Sequence, residues 1–162
     1  MAVWRGLAII GVTALYFRPL LCAQQPKEAA AQAVAGWKAY EEGRLQEAKA
    51  LLERAVKLSP ATADYQAALA EVEAKMDDPD GAIQHFKRAI ALNPADTEFR
   101  LDLAQILQRK GNDHEALQIL RISHPKPELA DLVHFTIGFS LFRLGNFGPA
   151  KSEFETLVDK PR

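Results

Sequence analysis

Cysteine, aromatic residues and any excess of one charge are all scarce in this chain, and each shortage removes a class of protein. Among 162 residues there is one cysteine, Cys22, so neither an intrachain disulfide nor a cysteine-cluster metal site can form. Aromatic residues make up 8% of a chain that is 48% hydrophobic, and alanine is abundant, which favours closely packed helices over a sheet core. Lys and Arg number 20 against 21 Asp and Glu, a net charge of −1, so there is no bulk basic field to hold nucleic acid. The apolar stretch at residues 6–17 is well short of the about 20 residues that a membrane-spanning helix needs. What remains is a folded chain of ordinary domain length, with 25% charged residues on its surface.

Catalytic chemistry is also absent from the pattern. The four histidines, His85, His114, His124 and His134, belong to no HExxH motif, no close cluster with Asp or Glu, and no nucleophile motif. Gly111 and Gly145 fall at turns between apolar segments rather than in a phosphate-cradling loop. Residues 77–81, "DDPDG", begin like a calcium loop but lack its later glutamate, and are expected to form a tight turn that caps the next helix. The expectation is a chain that is not an enzyme, with no cofactor and no bound metal.

The first 23 residues differ from the rest. Arg5 precedes the apolar stretch, and small Ala23 ends the segment, the layout of a signal peptide cleaved after Ala23. The mature chain would start at Gln24 with a short linker at residues 24–28, and would be exported, periplasmic or secreted. Losing Arg5 and Arg18 would take its net charge to −3. An uncleaved N-terminal membrane anchor is the alternative. A lipidated Cys22 is a third reading, disfavoured because Leu21 stands where a small residue is wanted and Pro19 where leucine is usual.

The strongest signal is repetition. "LERAVKLSPAT" at residues 52–62 returns as "FKRAIALNPAD" at 86–96, 34 residues on. From Ala48 the same step reaches Ala82, Ala116 and Ala150, all alanine. Twelve residues before each stands a small residue: Gly36, Ala70, Ala104 and Gly138. Four residues after each stands a large apolar one: Leu52, Phe86, Leu120 and Phe154. A turn former, Gly43, Asp77, Gly111 or Gly145, lies five residues before each alanine. Apolar residues recur at helical spacing on both sides of the turn. Two helices approach closely only where their side chains are small, so the small residue and the alanine mark the crossing of a helical hairpin. Pro60 and Pro94 then end the second helix of the first two units.

These residues resemble the tetratricopeptide repeat family, over four units at about residues 29–62, 63–96, 97–130 and 131–162. The tryptophan common early in the first helix of that repeat is replaced by Gln32, Gln66, Arg100 and His134. The third unit ends early at "HPKP", which makes the junction to the fourth irregular. Leu157 replaces the small residue found at Ala55 and Ala89. The resemblance implies an all-α fold, a right-handed solenoid of four tandem helical hairpins, with a groove lined by the first helix of each. It further implies a non-catalytic scaffold that binds proteins or peptides. Members that clamp carboxylate tails use Lys, Arg and Asn in the groove. Here the corresponding positions include Ala33, Trp37, Asp64, Ala68, Glu98 and Asp102, whose acids would repel a carboxylate.

Two groups of residues stand out as candidate partner-binding elements. Lys75, Arg109 and Arg143 recur one period apart at the end of each first helix, either complementing the negative helix end or forming a basic ladder for an acidic partner. Phe135, Phe139 and Phe142 fall together on the groove side of their helix, an aromatic strip of the kind that marks a contact surface unless neighbouring sequence covers it. A third set, Phe154, Leu157 and Val158 on the last helix, is a candidate association face, because an end repeat normally carries a polar outer cap. It is expected to be covered by a partner, by a second copy of the chain, or by further repeats of a longer protein. A self-associating structural module is therefore the alternative function, alongside a fragment of a larger repeat protein.

Overall fold

In a computed structural model of the chain, the backbone is described for residues 9–158 and the side chains for residues 25–158. Among the described residues the structure is entirely helical, with eight helices in four tandem hairpins. They are α1 (Ile9–Glu41), α2 (Leu45–Leu58), α3 (Ala63–Lys75), α4 (Pro79–Leu92), α5 (Thr97–Arg109), α6 (Asp113–Arg121), α7 (Pro127–Arg143) and α8 (Phe147–Val158). The chain divides into two compact units, residues 1–60 and 61–162. The first holds the α1/α2 hairpin. The second holds the other three, in which α4 packs on α5, α6 on α7, and the first helices α5 and α7 also touch.

Each hairpin closes on the residues that the repeat marks. Ala48, Ala82, Ala116 and Ala150 are all buried, as are Gly36, Ala70, Ala104 and Gly138. The approach is closest in the first and last hairpins. A Cβ on Gly36 would lie 2.8 Å from Leu52 Cγ, and one on Gly138 would lie 2.7 Å from Phe154 Cε1. No real Cβ contact is that short, so glycine there admits the large side chain four residues after the anchor alanine. The turns are equally uniform, with φ of 77° at Gly43, 62° at Asp77, 81° at Gly111 and 76° at Gly145. Asp77 is thus a non-glycine residue in the left-handed region, where glycine alone is free of Cβ crowding.

Local signals fix the helix ends. Asp78 caps α4, its carboxylate accepting from the Gly81 N–H at 3.1 Å, and Pro79 opens the helix. The acidic run at 77–81 is therefore a turn and a helix cap. Asp96 caps α5 in the same manner, through the Glu98 N–H at 2.9 Å. α2 and α4 stop two residues before Pro60 and Pro94. The irregular third junction shows as a short α6 of 9 residues and a long α7 of 17, which starts on Pro127.

At the other end, α1 runs without a break through residues 24–28, so the stretch expected as a linker is helical backbone. Of the N-terminal segment read as a signal peptide, residues 1–8 and the Cys22 side chain lie outside the described residues. Among the described residues no helix is long and apolar enough to cross a membrane.

Candidate partner-binding face

In the second unit the first helices of the hairpins, α3, α5 and α7, bury one side and leave the other exposed. The 34-residue period aligns the positions of this side into rows that run from helix to helix, mostly exposed or half-buried, with Thr136 buried. One row is Asp64, Glu98 and Leu132, a second Ala68, Asp102 and Thr136, a third Glu71, Gln105 and Phe139, and a fourth Lys75, Arg109 and Arg143. Gln105, Gln108 and Arg109 of α5 and Phe139 and Arg143 of α7 line a cavity of about 420 Å³ on this face.

Phe135, Phe139 and Phe142 do not form a single strip. Phe135 and Phe139 stack, with centroids 6.3 Å apart and planes within 10°, and are 50% and 39% exposed. Phe142 instead meets Phe147 edge-on at 5.5 Å. With Phe147, Ala150, Phe154 and Val158 it lines a separate apolar cavity of about 460 Å³ at the α7/α8 end. The reason is helical geometry. Three residues turn a helix by about 300°, so Phe142 sits about 60° from Phe139, enough to turn it from the α5 side toward the open end. Phe135 touches both groups, since its ring also lies 6.0 Å from that of Phe154.

The last-helix residues separate likewise. Phe154 is half-buried against Gly138, Val158 is 80% exposed, and Leu157 is half-buried and outside the cavity lining.

The three recurring cations also differ from one another. Arg143 is engaged inside the fold: its Nη1 donates to the Gln108 carbonyl at 2.6 Å, and its Nε lies 3.3 Å from Asp113 Oδ2. It therefore neutralises the C-terminal end of α5 and the buried carboxylate that starts α6. The same guanidinium lies 5.9 Å from the Phe139 centroid, within cation–π reach. Lys75 and Arg109 are exposed at the ends of their helices. As a uniform basic ladder the row is broken, because its third member is tied to its neighbours.

Two carboxylates on this face stand out: Asp102, already placed among the groove acids by the sequence, and Glu71, which the sequence did not single out. Glu71 and Asp102 are half-buried, and no described cation pairs with either. Burial, reinforced by the charges of Asp102 and Glu98, pushes the Glu71 carboxyl up to about 7. Burial also raises Asp102, with Glu98 and Asp96 adding to it, to about 6. The one signal that could have found Glu71 is its register, which puts it on the same edge as Asp102.

The positions of the missing tryptophan hold polar contacts instead. Buried Gln66 meets His85 Nδ1 at 2.8 Å, and His134 Nδ1 meets Glu153 at 2.7 Å, two periods further on. Buried Arg100 donates to the Pro94 carbonyl and, at 3.2 Å, to that of Asp96. These histidines thus brace hairpins, and among the described residues no group of His, Cys, Asp or Glu is arranged to hold a metal ion.

Tandem hairpins crossing at small residues, with one ungated edge of exposed side chains, define a helical-repeat scaffold. Two sequence models of the tetratricopeptide repeat match the chain, at residues 34–75 and 73–134, and residues 34–134 are tetratricopeptide repeats. No curated protein matches the chain. Solved structures do. MamA superposes with a TM-score of 0.71 at 19% identity, over 82% of this chain and 73% of that one. PilF of Pseudomonas aeruginosa gives 0.71 at 22% identity, over 82% of this chain and 61% of that one. YrrB, described as a TPR protein with an unusual peptide-binding site, gives 0.71 at 26% identity, over 81% and 68%. The fold is that of the all-α repeat solenoids.

Proposed function

We propose that this chain is a non-catalytic, exported scaffold whose α3/α5/α7 edge binds a protein or peptide. The observation that carries the reading is the stacked pair Phe135 and Phe139, which stays open beside a cavity while the opposite side of the same helix is buried. YrrB, of the same repeat class, has a peptide-binding site by its own description, which supports the assignment of class. Export rests on the N-terminal pattern alone.

A photo-crosslinking side chain placed at position 139 of the full chain, expressed in its native host, tests both parts. The expected result is a covalent adduct from position 139 and none from position 84, an exposed site on α4. Intact mass of the adducted chain should show a start at Gln24. Equal labelling from both positions overturns the binding edge, and a chain that keeps Met1 overturns cleavage after Ala23. An adduct of twice the chain mass would favour the second reading, self-association, for which the exposed Phe147 and Val158 at the α7/α8 end are the specific support.

A further inference from the structure

The open α7 aromatic pair lies beside carboxylates that have no cation, and this combination specifies the chemistry of an occupant. We infer that the α3/α5/α7 edge takes an extended segment that is both basic and apolar, with a lysine or arginine among Glu71, Glu98 and Asp102 and a large apolar side chain against Phe135 and Phe139. This deepens the binding-edge reading and rests on it.

Charge complementarity decides the sign. Glu98 stands in the first turn of α5, where a carboxylate favours the helix dipole. Glu71 and Asp102 have no such excuse. Glu71 lies in the second half of α3, where the dipole opposes a negative charge, and Asp102 lies in the interior of α5. Both are partly withdrawn from water next to like charges, an arrangement that costs the free chain stability and is relieved when a cation enters. An acidic or carboxylate-terminated segment would meet repulsion over most of this edge. The exposed cations Lys75 and Arg109 stand only in the last turns of α3 and α5, at one end of the edge, and the Arg143 guanidinium is held by Gln108 and Asp113.

The apolar half of the occupant follows from adjacency. Gln105, which lines the cavity with Phe139, stands one helical turn beyond Asp102 on the same side of α5. Glu98 and Asp102 of α5 are thus separated from the phenyl rings of α7 by about one helix-to-helix spacing, on the order of 10 Å, or roughly three residues of extended chain. Glu71 of α3 lies on the far side of them. A basic residue followed about three positions later by a leucine or phenylalanine fits that distance.

Three fluorescein-labelled ten-residue peptides sharing one leucine and phenylalanine frame test this. They carry two arginines, two glutamines or two glutamates, and their binding to the full chain is read by anisotropy. The arginine peptide should bind about tenfold tighter than the glutamine peptide, and the glutamate peptide weakest. The isosteric double variant Glu71→Gln, Asp102→Asn should erase the preference for arginine while the glutamine peptide keeps its affinity. Phe139→Ala should weaken both. If the glutamine or glutamate peptide binds as well as the arginine one, and Phe139→Ala still weakens it, the basic occupant is wrong and the binding edge stands. If none of the three responds to Phe139→Ala, both are wrong.

Discussion

The α3/α4 and α7/α8 hairpins are copies of one plan, and they differ where they face outward. Both turn through a left-handed residue and cross at a small residue facing a phenylalanine, Ala70 with Phe86 and Gly138 with Phe154. In the first, Phe86 is fully buried, because α5 packs on α4. In the last, Phe154 is half-buried, and its ring borders an open apolar cavity. On the edge, Glu71 and Lys75 of α3 become Phe139 and Arg143 of α7 at the same phase, and buried Ala67 becomes exposed Phe135. Positions that hold the crossing are therefore nearly fixed in kind, while positions on the edge vary freely. Stability resides in the first set, and the proposed binding edge is built from the second.

The comparison can be broken most sharply at the two phenylalanines. Phe86→Ala should cost about 3–5 kcal/mol, as deletion of a fully buried aromatic ring does. Phe154→Ala should cost less, about 2–3 kcal/mol, because that ring is only partly buried. Urea midpoints at constant slope are the measurement. Equal losses would show that the α7/α8 end is covered in solution, by a second copy or by another chain.

A smaller effect sharpens the acidic side of the edge. The Glu71 carboxyl titrates near 7 in the folded chain against an ordinary 4.5, so the folded state holds the proton more tightly. The stability this contributes is present below about pH 4.5 and is lost as pH rises toward 7. Glu71→Gln should therefore match the wild type at pH 4.5 and be the more stable at pH 8. After discounting for solvent screening of a half-exposed group, the gain is about 1 kcal/mol, or roughly 2–4 °C in melting temperature. A gain that does not vary with pH would mean that neither burial nor the charges of Asp102 and Glu98 raise the Glu71 carboxyl.

The smallest effect concerns the turns. Asp77 alone holds a left-handed φ without being glycine, whereas the other three hairpins have glycine there. Asp77→Gly should raise stability by about 0.5 kcal/mol, the relief of Cβ crowding being partly offset by the greater freedom of glycine in the unfolded chain. Thermal melts of the variant against the wild type decide it. A loss would show that the Asp77 side chain makes a compensating contact.

Most of the fold was legible because its determinants are local and periodic. The 34-residue phase located each crossing alanine, each left-handed turn and the two prolines that end α2 and α4. It also marked the third junction, where "HPKP" shortens α6 and Pro127 starts α7 early. The edge was less legible. Helical phase grouped Phe135, Phe139 and Phe142, but a difference of about 60° decides which neighbour each meets, and that depends on how α7 lies against α5 and α8. Arg143 likewise looked like one rung of a ladder. Its true partners, the Gln108 carbonyl and Asp113, become neighbours only when two hairpins stack. Asp102 was visible as a groove acid, but Glu71 and the crowding of the two were hidden for the same reason, since like charges on different helices are distant in the chain.

The shortened α6 and lengthened α7 carry a consequence for descent. Together they move the boundary between two helices by about a turn, yet Ala150 still falls on the 34-residue register. What a duplicated unit must hand on is thus a small message: a small residue, a left-handed turn, an alanine and a bulky partner at set intervals. Helix ends, loop composition and the outward rows are free to drift between copies. A lineage of such chains can change the face it presents by rewriting one row of letters, with the grammar that spaces them left intact.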